Sequence, residues 1–384
     1  MMNRFTQAFC LLVAVFGGAF STAFAQFDQF GVDDSGLRQM AQSGDAEAQF
    51  QLGLRLTLGE GLKKNAVEGA KWLEKAANSG HVKAMNVLGS LYDQGEGVEE
   101  DPAKAAVWYQ KAVDKEEKDA MFRLALLYQN GRGVKKDPVK ATDLAKAGAS
   151  LGYAPAQTLY ASKLVQGDGV DKNAAKAALW FLKAAKQDNP YAQRQLAYLY
   201  YTGNGVPLDY ERCQAWYQRA ARISEDPWAM NDLAWFLATC PDPKYHRGEE
   251  AAELAKAAVM ALEVNAGEQR HEIIDTMAAA LARNNQFAEA LVWQKRCVKL
   301  LEEDKDIAAE ERDKLSKEFA ERLTLYKAQK AYADKPSKPS QDAEPLYNDT
   351  ILQDGNQGEK DDPRTPQTPP RSNKPSKNKK DNAA

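Results

Sequence analysis

The sequence predicts an all-α chain: an α/α solenoid of about seven antiparallel helix pairs, followed by a disordered C-terminal tail. The first observation is a Gly-x-Gly step recurring every 36 residues, at Gly59/Gly61, Gly95/Gly97, Gly131/Gly133, Gly167/Gly169 and Gly203/Gly205. The second is that unrelated columns keep the same interval. Trp72, Trp108, Leu144, Trp180 and Trp216 form one, Ala48, Ala84, Ala120, Ala156 and Ala192 another, and Gly53, Gly89, Ala125, Ala161 and Ala197 a third. Several columns sharing one period in this range are the signature of stacked repeats.

Within a unit the pattern is helical. Ala84, Leu88, Leu91 and Tyr92 fall at i, i+4, i+7 and i+8, which places them on one apolar face. Gly89, too small to be a packing knob, is expected to let a neighbouring helix approach. Gly95 follows the last periodic residue, where a left-handed cap costs least without a β-carbon. Asp101 is placed to cap the next helix, with Pro102 at its first position, and Asp137-Pro138 repeats the device. Lys104 to Ala112 again shows apolar residues three and four apart, so each unit reads helix, short turn, helix.

The run Ala-x-x-x-Leu-Gly-x-x-Tyr-x-x-Gly-x-Gly-Val-x-x-Asp-x-x-Lys-Ala-x-x-Trp-Tyr-x-Lys-Ala, carried by Ala84 to Ala112, resembles the Sel1-like repeat, a longer-looped relative of the tetratricopeptide repeat. Other units depart at single positions: Leu144 stands for the tryptophan, Leu164 and Leu56 for the tyrosine, and Leu62 for the valine. The resemblance covers about half of the chain. It implies a protein-binding scaffold of the kind used in signalling and in assembling envelope or membrane complexes.

Residues 1–25 read as a cleavable secretory signal. Met1 to Arg4 is basic, Ala8 to Phe20 is an apolar run too short for a comfortable span, and Ala23 and Ala25 give an A-x-A site. Residues 26–45 lead in, with Leu37 to Gly44 capping the first unit. Five repeats occupy residues 46–225. Two pairs of more ordinary tetratricopeptide character fill 226–300, where Trp228 to Ala238 and Glu272 to Ala282 are first helices without Gly-x-Gly. Residues 301–333 form a charged capping helix. From Asp334 to Ala384 half of the 16 prolines collect amid Lys, Asp, Asn, Gln and Ser. Such a segment buries too little apolar surface to offset its ordering entropy, and is expected to be disordered. Its basic end, Arg364 to Lys380, suits contact with an anionic surface.

Little in the sequence points to catalysis. The Gly-x-Gly steps lack the Gly-Lys-Ser/Thr of a phosphate loop. His271-Glu-Ile-Ile-Asp275 has an aspartate where a zinc-peptidase motif needs its second histidine, so no metal and no cofactor are expected. Net charge near −3 together with export argues against nucleic acid as a partner. After signal cleavage three cysteines remain. Cys213 and Cys240 lie at helix ends that antiparallel neighbours would bring together, so an oxidising compartment would permit a bridge; buried inert thiols are the alternative.

Solenoids bind along the concave side, lined by the first helix of each pair. Its outward columns read Phe50, Asn86, Phe122, Thr158, Arg194, Asn231 and Leu54, Ser90, Leu126, Ser162, Tyr198, Trp235. The late units are richest in residue types that dominate binding hot spots: Tyr191, Arg194, Tyr198, Tyr201, Trp228, Asn231 and Trp235. The competing reading of such stripes is core packing. The expectation is therefore an exported, non-catalytic scaffold that binds a protein or peptide, with no membrane span once the signal is gone. There are two alternatives: a secreted hydrolase acting on β-lactams or peptidoglycan, which family likeness implies, and a surface factor secreted to act on a host cell.

Overall fold

Asp45, Asn65, Asp101, Asp137, Asn173 and Asn189 each turn a side-chain oxygen onto the backbone N–H three residues ahead, and a helix begins at each. These side chains satisfy N–H groups that a helix start leaves without partners. At the other end the first helices stop on glycine. Gly59, Gly95, Gly131, Gly167 and Gly203 are left-handed and return their N–H to the carbonyl four residues back. The period seen in the sequence is thus a period of helix starts and stops.

A computed structural model describes residues 34–346, apart from 224–225 and 267–269. The expected signal at 1–25 and the chain beyond 346 lie outside the described residues. In order, the helices are α1 (Asp34–Gln42), α2 (Ala46–Leu58), α3 (Ala66–Asn78), α4 (Val82–Gln94), α5 (Pro102–Val113), α6 (Lys118–Asn130), α7 (Pro138–Ser150) and α8 (Ala154–Gln166). There follow α9 (Ala174–Ala185), α10 (Pro190–Thr202), α11 (Tyr210–Ile223), α12 (Pro227–Thr239), a 3-10 turn (Pro243–Tyr245), α13 (Gly248–Ala266), α14 (His271–Arg283), α15 (Phe287–Glu303) and α16 (Ala309–Lys327). The described residues contain no strand. Each helix packs on the next, and first helices also meet across units, as α6 does α8 and α12 does α14. This is an α/α solenoid.

The conserved interval is explained by burial. Ala48, Ala84, Ala120, Ala156 and Ala192 are all buried, as is Ala229, where the spacing lengthens by one. Gly89 acts as expected: a β-carbon there would stand 2.7 Å from the Tyr109 ring. The tryptophan column is held from outside by a cation one turn on, with Lys75, Lys111 and Lys183 Nζ over Trp72, Trp108 and Trp180 at 3.9, 3.6 and 4.0 Å. These rings are packing elements.

The second glycine of each step has a reason that helix ending does not supply. A β-carbon on Gly97 would lie 2.2 Å from the Ala66 carbonyl oxygen, and one on Gly133 2.2 Å from the Pro102 carbonyl carbon. Gly169 and Gly205 meet the starts of α7 and α9 in the same way. Each turn therefore lies against the backbone at the start of the preceding unit's second helix. Gly61, which precedes any such helix, has open space at this position.

The C-terminal helix ends at Lys327, and residues 334–346 of the expected disordered tail are placed against the late units. Asp334 N–H donates to the Thr239 carbonyl at 2.7 Å, Ser340 N–H to Gly203 at 2.9 Å and Glu344 N–H to Gly205 at 3.1 Å. Leu346 is buried. Apolar content predicted no docking because the segment is held chiefly by hydrogen bonds to backbone groups left open at helix ends.

Candidate partner-binding face

The two outward columns of the first helices turn out to do different work. In the first, Phe50, Phe122, Thr158, Arg194 and Asn231 are buried. They join one unit to the next. Phe50 stacks on His81 at 4.4 Å, and Phe122 meets Tyr153 edge-on at 5.9 Å. Asn86 donates to Asp119 at 2.7 Å, and Asp119 also accepts from Arg123 at 3.0 Å and the Tyr153 hydroxyl at 2.8 Å. Burial works to raise the Asp119 pKa, but Arg123, Asn86 and Tyr153 outweigh it and hold the carboxyl below its usual range.

Arg194, expected as a binding residue, is 1% exposed. Its Nε lies 2.7 Å from Asp232 and its Nη1 3.3 Å from Asp226. A guanidinium already matched by two carboxylates across a unit boundary has its charge used structurally. Asn231 is 7% exposed and likewise sits within the packing. Tyr191 and Trp228 are half-buried on the same face.

The second column is the accessible one. Ser90, Leu126, Ser162, Tyr198 and Trp235 are half-buried, and only Leu54 at its start is buried. In the late units this column meets the segment that follows the last helix. Asp334 Oδ2 accepts from the Tyr201 hydroxyl at 2.5 Å and from Trp235 Nε1 at 2.9 Å. Thr239 Oγ1 lies 3.2 Å from the same oxygen and 2.8 Å from the Trp235 carbonyl, so its single proton serves one or the other. Burial, and then the Asp334 charge, push the Tyr201 pKa far up, so the phenol stays a donor. The same two causes act on Tyr198 and on Tyr332, which is pushed up to about 12.

Tyr332 closes the top of this arrangement. Its ring lies 6.1 Å from Trp235, with the Arg322 guanidinium 4.7 Å from Tyr332 and 5.1 Å from Trp235. Arg283 Nη2 donates to the Tyr332 carbonyl at 2.6 Å. Sequence reasoning named Tyr198, Tyr201 and Trp235 but missed Thr239, Arg283 and Arg322. Nothing local marks these last three; they are assembled by elements far apart in the chain.

The other candidates resolve into structure. His81 Nε2 is 2.9 Å from Glu47 while its Nδ1 caps α4. His246 lies 2.7 Å from the Cys240 carbonyl, and burial holds its pKa low. Asp275 of the His-Glu-Ile-Ile-Asp run is buried, with Arg322 Nη1 2.9 Å away and Gln294 donating at 2.9 Å. Among the described residues no group of three or more His, Cys, Asp or Glu could hold a metal ion. Cys213, Cys240 and Cys297 are free and buried, and burial pushes the Cys240 thiol up to about 11. No helix among the described residues is long and apolar enough to cross a membrane.

The Sel1 repeat family model matches residues 46–81, 82–116, 118–153, 154–189 and 190–223. The chain carries five Sel1 repeats. Its five matched repeats coincide with the helix pairs from α2/α3 to α10/α11. Two solved structures resemble this Sel1-repeat chain. One is a Sel1 repeat protein from Oxalobacter formigenes, 27% identical, with 61% of this chain and 92% of that one covered and a TM-score of 0.54. The other is c5321, a protective antigen of uropathogenic Escherichia coli with an SLR fold, 25% identical over 79% of this chain and 77% of that one, TM-score 0.56. No curated protein matches the chain significantly.

Proposed function

We propose that this Sel1-repeat protein is an exported, non-catalytic scaffold that binds a protein or peptide partner on the concave face lined by its first helices, in bacterial envelope assembly or signalling. The observation that carries this reading is the half-buried aromatic column at Tyr198 and Trp235, beside half-buried Tyr191 and Trp228. Rigid aromatic side chains with a polar edge supply contact area at small conformational cost, which is why they dominate binding hot spots. The same face already receives an extended chain, in that Tyr201 and Trp235 bond Asp334. The basic character of residues 364–380 suits contact with an anionic surface beside that partner. Export rests on the basic start, apolar run and A-x-A pattern of residues 1–25.

The test is capture of partners from envelope extract by the mature chain, beside a Tyr198→Ala/Trp228→Ala variant that leaves the Asp334 contacts in place. Loss of one partner from the variant supports the reading. Equal recovery by both proteins removes Tyr198 and Trp228 from the binding face. Turnover of a chromogenic β-lactam or of peptidoglycan fragments by the purified chain would instead establish the hydrolase alternative.

A further inference from the structure

Residues 334–346 contact the solenoid with a regular beat. Asp334, Ser337, Ser340 and Ala343 are half-buried and Leu346 is buried, while every residue between them is exposed. From Asp334 to Ser340 a period of three is that of the polyproline II helix, in which one residue in three faces a surface and no internal hydrogen bond is made. Pro336 and Pro339 are exposed and stiffen that conformation, Pro339 while lying against Gly203. Among the described residues no backbone hydrogen bond is made within Asp334 to Ser340, so the N–H groups there are open to the solenoid; the chain then turns at Gln341 and Asp342, where Ala343 N–H reaches the Ser340 carbonyl at 3.4 Å.

They pair with groups that helix ends leave open. The Thr239 carbonyl ends α12 and takes Asp334 N–H. At the last Gly-x-Gly turn, the Gly203 carbonyl takes Ser340 N–H, Gly205 N–H donates to Ser340 Oγ at 3.0 Å, and the Gly205 carbonyl takes Glu344 N–H. Pro339 comes so close that a β-carbon on Gly203 would stand 2.9 Å from it. The first glycines of the four preceding turns face only residues of their own turns.

The carboxylate is the specific element. Asp334 Oδ2 takes Tyr201 and Trp235 as donors, both uncharged, with Thr239 at hand. Among the described residues no cation bonds it, so release exchanges neutral hydrogen bonds for water. Between Asp334 and Leu346 no residue of the segment is fully buried.

We propose that the Tyr201–Trp235–Thr239 pocket and the adjoining Gly203–Gly205 turn form a binding site for an extended, polyproline II-type peptide bearing an acidic side chain, and that the chain's own segment occupies in cis the site a partner protein's segment takes in trans. The pocket reads the carboxylate, and the turn, lying against Ser340, reads a small residue six positions later. This deepens the scaffold reading given above and rests on it. It names the partner's chemistry: aspartate first, small residues at the third and sixth positions beyond it, and proline between.

The test uses the full mature chain and a fluorescein-labelled peptide of residues 331–346, followed by anisotropy. The receptors are the wild type and an Asp334→Ala/Ser340→Pro variant, which removes the carboxylate, the Ser340 N–H and its hydroxyl while preserving a polyproline II backbone. A tethered segment competes at an effective concentration of order millimolar. The peptide is therefore expected to bind the variant at least tenfold more tightly than the wild type. Replacing the peptide's own Asp334 by alanine should weaken binding to the variant at least tenfold, and a Tyr201→Phe change in the variant should weaken it as well. Absence of peptide binding to the variant, equal binding to both receptors, or indifference to the aspartate would each overturn the proposal and leave the segment a fixed strap. Dimerisation of the wild type that the double substitution abolishes would assign the site to a second copy of the chain and overturn it too. Failure here while the Tyr198/Trp228 variant still loses a partner would sink only this site; peptide exchange without any captured partner would sink only the wider scaffold reading.

Discussion

The carboxylate of Asp334 accepts the indole N–H of Trp235 at 2.9 Å, joining residues 99 positions apart in the chain. The bond fixes the first residue of a segment that composition marks as unstructured to the most accessible aromatic column of the solenoid. Asp334→Ala should remove the carboxylate and leave Trp235 and Tyr201 able to turn to water, at a cost of about 1–2 kcal/mol confined to the segment. Hydrogen exchange should speed up at the Asp334, Ser340 and Glu344 amides while amides in α4 to α8 stay unchanged. Unchanged exchange at Ser340 would show that the segment is anchored elsewhere.

Asp119 ties two unit boundaries together through Asn86, Arg123 and Tyr153. Asp119→Ala strands a nearly buried Arg123 and should cost about 3 kcal/mol in urea unfolding. The sign with pH follows from the lowered folded pKa. The contribution is complete above the unfolded value, near 3.8. It is lost as pH falls through the lower folded value, so the gap between wild type and Asp119→Ala should narrow only in strong acid.

The two glycine types can be separated by substitution. Gly61→Ala meets only the backbone penalty of a left-handed residue, about 1–2 kcal/mol. Gly133→Ala adds a collision with the Pro102 backbone and should cost about 3–4 kcal/mol in all. Equal destabilisation in thermal melts would show that the turn does not lie against the preceding unit.

Cys213 and Cys240 are buried thiols. In the native mature chain neither should react with a thiol reagent at pH 8, since burial holds Cys240 protonated up to about 11. Under denaturant without reductant, three thiols per mature chain should titrate. A count of one would establish the Cys213–Cys240 bridge that an oxidising compartment permits.

The repeat was legible because its causes are local. Asp101 caps α5 through the N–H three residues on, and Gly95 ends α4 through the carbonyl four residues back, so each leaves its mark within a few positions of sequence. Gly89 could be read for the same reason, its smallness standing out in an otherwise regular helix face. Tyr198, Tyr201 and Trp235 could be named because their column is visible in the period. What their neighbours do could not. Arg194 looks like a free hot-spot arginine in sequence, and only the packing of α10 on α12 shows that Asp232 and Asp226 have matched its charge.

The sequence by itself determined the helix pairs, their caps, the repeat and the residues that face outward, because hydrogen bonds spanning three or four residues and a 36-residue period are written in one dimension. Tertiary structure alone decided which outward residues are consumed between units, why the second glycine of each turn must lack a side chain, and where residues 334–346 lie. Those outcomes depend on pairings such as Tyr201 with Asp334, 133 residues apart, and Gly205 with Ser340, 135 apart. Such contacts form when stacked helices present unpaired backbone groups and a neutral donor pocket to a segment with little apolar surface of its own, and no local pattern records them.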